Sequence, residues 1–155
     1  MSDKKNNTGV SLQEPGDQPK YGIGDASFQA AGGEAGIRQL VNDFYDVMEQ
    51  DERAAAILAM HPEDLEMSRD KLARFLCGWL GGPKRFSEKY GPIRIPKAHQ
   101  HLHIGEGDRD AWLYCMQKAL EQQDYAEDFK AYMLRELFVP AERSRQVSEK
   151  THGLK

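Results

Sequence analysis

The sequence is short of cysteine, short of strand-forming runs and without a long apolar segment, and each shortage removes a class of protein. Its two cysteines, Cys77 and Cys115, stand far apart inside apolar helical patterns, with neither CxxC spacing nor a secretory signal. They are expected to be reduced core thiols of a cytoplasmic protein. No stretch approaches the roughly 20 apolar residues of a membrane-spanning helix, so no membrane partner is expected. Charge of one sign is lacking too: 21 Lys and Arg face 25 Asp and Glu, a formal net charge of −4. That balance gives no electrostatic reason to expect nucleic acid. The one strand-like run, Ile93-Arg94-Ile95, is cut off by Pro92 and Pro96, and is too short to build a sheet. The paired glycines follow no strand and form no GxGxxG, which excludes a nicotinamide or flavin site of the dinucleotide-binding type.

What is present is helical periodicity. Ile37, Leu40, Val41, Phe44, Tyr45 and Met48 are spaced 3, 1, 3, 1 and 3 residues apart, which puts all six on one helical face. A short helix, Ser27 to Ala31, is expected before it and stops at Gly32-Gly33, where positive φ is free of steric cost. A third helix is expected from near Ser68, whose hydroxyl suits an N-cap, with Leu72, Phe75, Leu76, Trp79 and Leu80 as its stripe. Gly81-Gly82-Pro83 ends it. Asp108 or Asp110 is expected to open a helix carrying Trp112, Cys115, Met116, Ala119 and Leu120. The last runs from about Ala126 through Phe129, Tyr132, Met133, Leu134 and Leu137, and Pro140 is expected to kink or end it. The class is therefore all-α, with four or five main helices. A chain of 155 residues suits one core, and the expected division is a flexible extension at 1–24, one domain at 25–147 and a disordered tail at 148–155.

Of five histidines, three alternate in His99-Gln100-His101-Leu102-His103. Alternate histidines along an extended edge suit zinc or copper, although Glu106 and Asp108 nearby complete no ligand pattern. Exposed or structural histidines fit the same residues.

Five further motifs occur in a fixed order: Phe28-Gln29-Ala30-Ala31-Gly32-Gly33, then Phe44-Tyr45, then Trp79-Leu80-Gly81-Gly82-Pro83, then His99 upstream of Ile104, then Arg109-Asp110-Ala111-Trp112-Leu113. Through them the chain from Phe28 to about Phe138 resembles a group II truncated haemoglobin. The resemblance implies a two-over-two helical sandwich around haem, and it makes 25–147 a truncated globin domain. It implies His99, five residues before Ile104, as the axial ligand to iron, while His101 and His103 fall where the family needs no histidine. It places Tyr45, His61, Ser68, Leu72 and Trp112 on the distal side, with histidine at 61, where some members carry tyrosine and others histidine. Ser68 stands where ordinary globins have their distal histidine.

Phe44, Leu72, Phe75 and Leu76 would form the apolar wall, and Tyr90, Arg94 and Lys97 would meet the haem carboxylates. With no CxxCH, the expected cofactor is haem b, held without covalent bonds. The implied ligands are dioxygen, carbon monoxide and nitric oxide, bound reversibly. A peroxidase or a nitric oxide detoxifying enzyme served by a separate reductase is a rival reading. Periodicity by itself also accommodates a helical interaction module, in which Tyr45 and Trp112 are core aromatics and His61 lies at the surface.

Overall fold

A computed structural model of the chain describes residues 20–93 and 101–152. Their helices are α1 (Ala26–Ala30), α2 (Gly33–Gln50), α3 (Ala55–Leu58), α4 (Glu66–Trp79), α5 (Arg85–Tyr90), α6 (Glu106–Glu121) and α7 (Glu127–His152), and a 3-10 turn spans Glu52–Ala54. No strand occurs among the described residues.

The six periodic residues of α2 are all buried, and two neighbours share the burial: α2 packs on α4 and also on α6, which in turn packs on α7. This gives the two-over-two arrangement, α2 with α4 and α6 with α7. Between the pairs sit Ile37, Leu40, Phe44 and Met48 of α2, Leu76 and Cys77 of α4, Cys115, Met116 and Leu120 of α6, and Phe129, Met133 and Leu137 of α7. Both cysteines are free and buried, and burial pushes the Cys115 thiol up to about 11. It is an inert core group at neutral pH.

The chain reversals depend on glycine. Gly32 has φ +89°, a conformation that a Cβ disfavours, and it turns the chain from α1 into α2. At Gly81, a Cβ would lie 2.0 Å from the Gly24 carbonyl oxygen. The turn after α4 thus closes against the segment leading into α1, where Phe28 N donates to Leu80 O at 3.0 Å.

Several boundaries differ from the sequence expectation. Helix α4 opens at Glu66, because the Asp64 carboxylate accepts from Glu66 N at 3.0 Å and caps the first turn ahead of Ser68. Asp108 does serve the start of α6, but from inside the helix, where it reaches back to accept from Gly105 N at 2.9 Å. Pro140 does not end α7, which continues to His152. A proline removes one backbone donor, and here the Ser144 hydroxyl donates to Pro140 O at 3.0 Å while Ser144 and Ser148 are both buried. Packing outweighs the missing bond. The expected disordered tail from 148 is correspondingly helical as far as His152. At the other end, the expected flexible extension is in contact with the body by residue 21: Tyr21 lies 5.1 Å from the Phe129 ring and 5.0 Å from the Tyr132 ring, and its hydroxyl donates to Asp128 at 2.8 Å.

Candidate functional site

Adjacent residues on α2 point to different neighbours. Phe44 is completely buried and touches two aromatic partners, Tyr45 at 4.9 Å edge-on and Trp112 of α6 at 5.0 Å. Tyr45 continues the chain of rings to His61, 5.6 Å away and nearly perpendicular. Three side chains with polar hydrogens or lone pairs, from α2, from the turn after α3 and from α6, are thereby linked through one phenylalanine.

Their protonation follows from their surroundings. Tyr45 is only 5% exposed, and burial raises its phenol well above the usual value of 10.0, with the Arg69 guanidinium pulling weakly the other way. It remains a neutral O–H donor throughout the physiological range. His61 Nδ1 lies 2.8 Å from Ile57 O. A carbonyl only accepts, so Nδ1 carries the hydrogen, and in the neutral ring Nε2 is then the acceptor. Trp112 offers an indole N–H, donor only.

Helix α4 supplies the apolar side. Ala73, Leu76, Cys77 and Leu80 are buried on its core face, whereas Ser68, Leu72, Phe75 and Trp79 are half-buried. The second set is spaced four, three and four residues apart, so it forms one stripe along the helix. The Phe75 and Trp79 rings lie 6.1 Å apart and within 31° of parallel. Trp112 and its neighbours Ala111 and Leu113 are also only half-covered. A flat, largely apolar group such as haem suits such a surface, since it would bury aromatic and aliphatic area that the protein leaves in water. Phe44 and Leu76, expected on that wall, are 0% exposed and so sit behind it, supporting Trp112 and the α4 stripe from within the core.

Arg69 was not legible as a site residue. Its guanidinium lies 5.7 Å from the Tyr45 ring centre, and it is held by Asn42 O at 3.0 Å, Asp46 at 3.0 Å and Glu49 at 3.2 Å. It fastens α4 to α2 directly beside Tyr45. The only sequence signal was a basic residue following Ser68, indistinguishable from a solvated charge.

Tyr90 lies on α5, and its single hydroxyl proton goes to Asp70 Oδ2 at 2.7 Å. Asp70 also receives Arg38 at 2.9 Å, Arg74 at 3.0 Å and Lys89 at 3.0 Å. Burial alone would raise this carboxyl, but the bonds from Tyr90, Lys89, Arg38 and Arg74 together hold it far below the ordinary carboxylate range. The cluster joins α2, α4 and α5. A polar groove of about 440 Å³ is lined by Arg38, Asn42, Glu66, Arg69 and Asp70; its arginines are already paired with acidic neighbours, so it is a braced surface and not the place where the rings meet.

His99, Arg94 and Lys97 lie outside the described residues. His101 and His103 are exposed, and the His103 ring stacks on His152 at 3.9 Å. Among the described residues no group of three or more His, Cys, Asp or Glu is placed to hold a metal ion, and no helix is long and apolar enough to cross a membrane.

Comparison with known proteins adds an independent line. Residues 26–140 match the family model described as bacterial-like globin. The chain is 29% identical over 120 residues to a group 2 truncated hemoglobin of Bacillus subtilis (strain 168), covering 76% of this chain and 86% of that one. Among solved structures it is similar to the cold-adapted truncated hemoglobin of the Antarctic marine bacterium Pseudoalteromonas haloplanktis TAC125, with 35% identity, a TM-score of 0.73, and 76% of this chain and 95% of that one covered. It is also similar to the group II 2-on-2 hemoglobin of Agrobacterium tumefaciens, with 31% identity, a TM-score of 0.73, and 77% and 92% covered.

Proposed function

The chain belongs to the bacterial-like globin family as a group II truncated haemoglobin, and from that premise we propose that it holds haem b on His99 and reversibly binds dioxygen and other small diatomic ligands. Haem held by His99 would supply an iron able to bind a small gas reversibly. The observation that carries the reading is the linkage of Tyr45, His61 and Trp112 around Phe44, with Arg69 of α4 against the Tyr45 ring.

The roles of the side chains follow from their chemistry. Tyr45 and Trp112 are donors on different helices, suited to a ligand that gains partial negative charge. His61, with Nδ1–H committed to Ile57 O, presents Nε2 as an acceptor, so it orders a water or the Tyr45 hydroxyl instead of donating to the ligand. Ser68 is small and half-buried, and it leaves a way in. Leu72 and Phe75, with Trp79, exclude water from the same side. The basic residues Arg94 and Lys97 are the partners for the haem carboxylates, since the Tyr90 proton is committed to Asp70.

An absorption spectrum of the purified, haem-reconstituted protein tests this. An intense Soret band is expected, retained in His101→Ala and His103→Ala and lost or greatly weakened in His99→Ala. Absence of the band from the parent protein would leave a helical interaction module as the better reading; equal loss in all three variants would remove the assignment of His99.

A further inference from the structure

We propose that Arg69 is a positioning residue for the bound gas: from α4 it holds the Tyr45 ring of α2 in place, and so sets how strongly dioxygen is retained relative to carbon monoxide. The inference rests on the reading of Tyr45 as a donor to a haem-bound ligand, and it adds a residue that acts through Tyr45.

The acceptors of Arg69 run alongside Tyr45. Asn42, Asp46 and Glu49 are spaced four and three residues apart on α2, which makes them one stripe of that helix. Tyr45 stands three residues after the first of them and four before the last, so it borders the stripe. The Arg69 fork is spread along it: Nη1 donates to Asn42 O at 3.0 Å, while Nη2 donates to Asp46 at 3.0 Å and to Glu49 at 3.2 Å. The guanidinium so held lies 5.7 Å from the Tyr45 ring centre. Phe44 at 4.9 Å and His61 at 5.6 Å, both edge-on, are the other rings against Tyr45.

A single ion pair to a half-exposed carboxylate holds a side chain weakly, and Asp46 and Glu49 are each about half exposed. Arg69 itself is only 19% exposed, and its planar fork has three acceptors on one stripe. It cannot swing away from Tyr45 without giving up several bonds at once. Two effects on the phenol follow. A fixed neighbour limits the pivoting of the ring, and a hydrogen bond from its hydroxyl weakens steeply when misaligned. The positive charge also favours release of the phenol proton, which makes the O–H a stronger donor. Joining the helices does not by itself call for Arg69: Arg38 of α2 already reaches Asp70 of α4 at 2.9 Å, seven residues before Tyr45.

The test is a pair of double-mutant cycles. In the haem-loaded ferrous protein, Arg69→Met is expected to speed oxygen release about threefold or more, with a smaller change for carbon monoxide, and to add nothing once Tyr45→Phe has removed the hydroxyl. Arg69→Lys, which keeps the charge without the fork, is expected to fall between parent and Arg69→Met. Arg38→Met, which cuts the other tie between α2 and α4, is expected to lower the melting temperature with parent-like oxygen release. In the apoprotein, denaturant melts of Arg69→Met, Tyr45→Leu and the double variant read the contact without haem, and their losses are expected to be non-additive. Additive losses would overturn the hold of Arg69 on the ring. Equal acceleration of oxygen release by Arg69→Met with and without Tyr45→Phe, or the same acceleration in Arg38→Met, would overturn its action through Tyr45. Parent-like oxygen release in Tyr45→Phe would instead sink the donor reading of Tyr45, and with it the ligand role of Arg69, while the apoprotein melts would still decide whether Arg69 holds the ring.

Discussion

The two apolar faces of α4 have the same composition rule and different fates. Ala73, Leu76, Cys77 and Leu80 are closed off by α2 and the core, whereas Leu72, Phe75 and Trp79, one step around the helix, remain half-covered. A soluble helix normally turns a single apolar face inward and a polar one outward. Here the apolar surface is wider than the protein covers. One face is satisfied by folding; the other is the surface to which the proposed haem is assigned.

Substitutions on the two faces separate these fates most strongly. Leu76→Ala should cost about 2–5 kcal/mol, because a fully packed side chain leaves a cavity, and the loss should be similar in apoprotein and haem-loaded protein. Phe75→Ala should cost only about 1 kcal/mol in the apoprotein and substantially more once haem is bound. Denaturant melts of both forms provide the comparison. Equal costs for Phe75→Ala in the two forms would mean that the half-covered stripe faces nothing but solvent.

The next effect concerns ligand release. Tyr45→Phe and Trp112→Phe each remove one donor, about 1.5–3 kcal/mol for a partly charged acceptor, or roughly ten- to hundredfold in dissociation rate. Stopped-flow measurements should show faster oxygen release and a smaller change for carbon monoxide, which carries less negative charge. The double variant is the stricter case. Parent-like oxygen release in it, with haem intact, would return both residues to the status of core aromatics.

Two changes far from either face sharpen the contrast through stability alone. Deletion of residues 1–24 removes Tyr21 from the Phe129 and Tyr132 rings and should cost about 1 kcal/mol in a thermal melt; no loss would show that this contact contributes nothing. The smallest effect at neutral pH belongs to Glu142, whose carboxyl is held down to about 2, from 4.5, first by Arg145 and then by Arg109. A depressed carboxyl contributes stability that is complete above the unfolded value and is lost as pH falls from about 4.5 through about 2. Melting temperatures taken across that window should fall more steeply in the parent than in Glu142→Gln, and parallel curves would count against the pairing.

Much of this was legible beforehand because it is local. The 3.6-residue period placed all six buried positions of α2, and the Gly32-Gly33 and Gly81-Gly82 turns fall where positive φ or close approach requires glycine. The candidate rings Tyr45, His61 and Trp112 do come together. Their tautomer and donor roles were not legible, because the Ile57 carbonyl that fixes the His61 hydrogen, four residues back, is brought to the ring only by the short helix α3 and the turn after it, which no periodicity marks. Nor was the passage of α7 through Pro140. Local propensity argues for a stop there, and only the burial of Ser144 and Ser148 with the Arg109–Glu142–Arg145 cluster outweighs it.

By itself, then, the sequence determined the helical class, the approximate extent of the helices and which aromatic and histidine side chains were available, since period, capping and glycine geometry act over a few residues. The tertiary structure decided which of two equally apolar stripes on α4 is core and which is left half-covered. Periodicity cannot separate them, because coverage depends on what packs opposite, and the α2–α4 and α6–α7 pairs decide that only when they assemble.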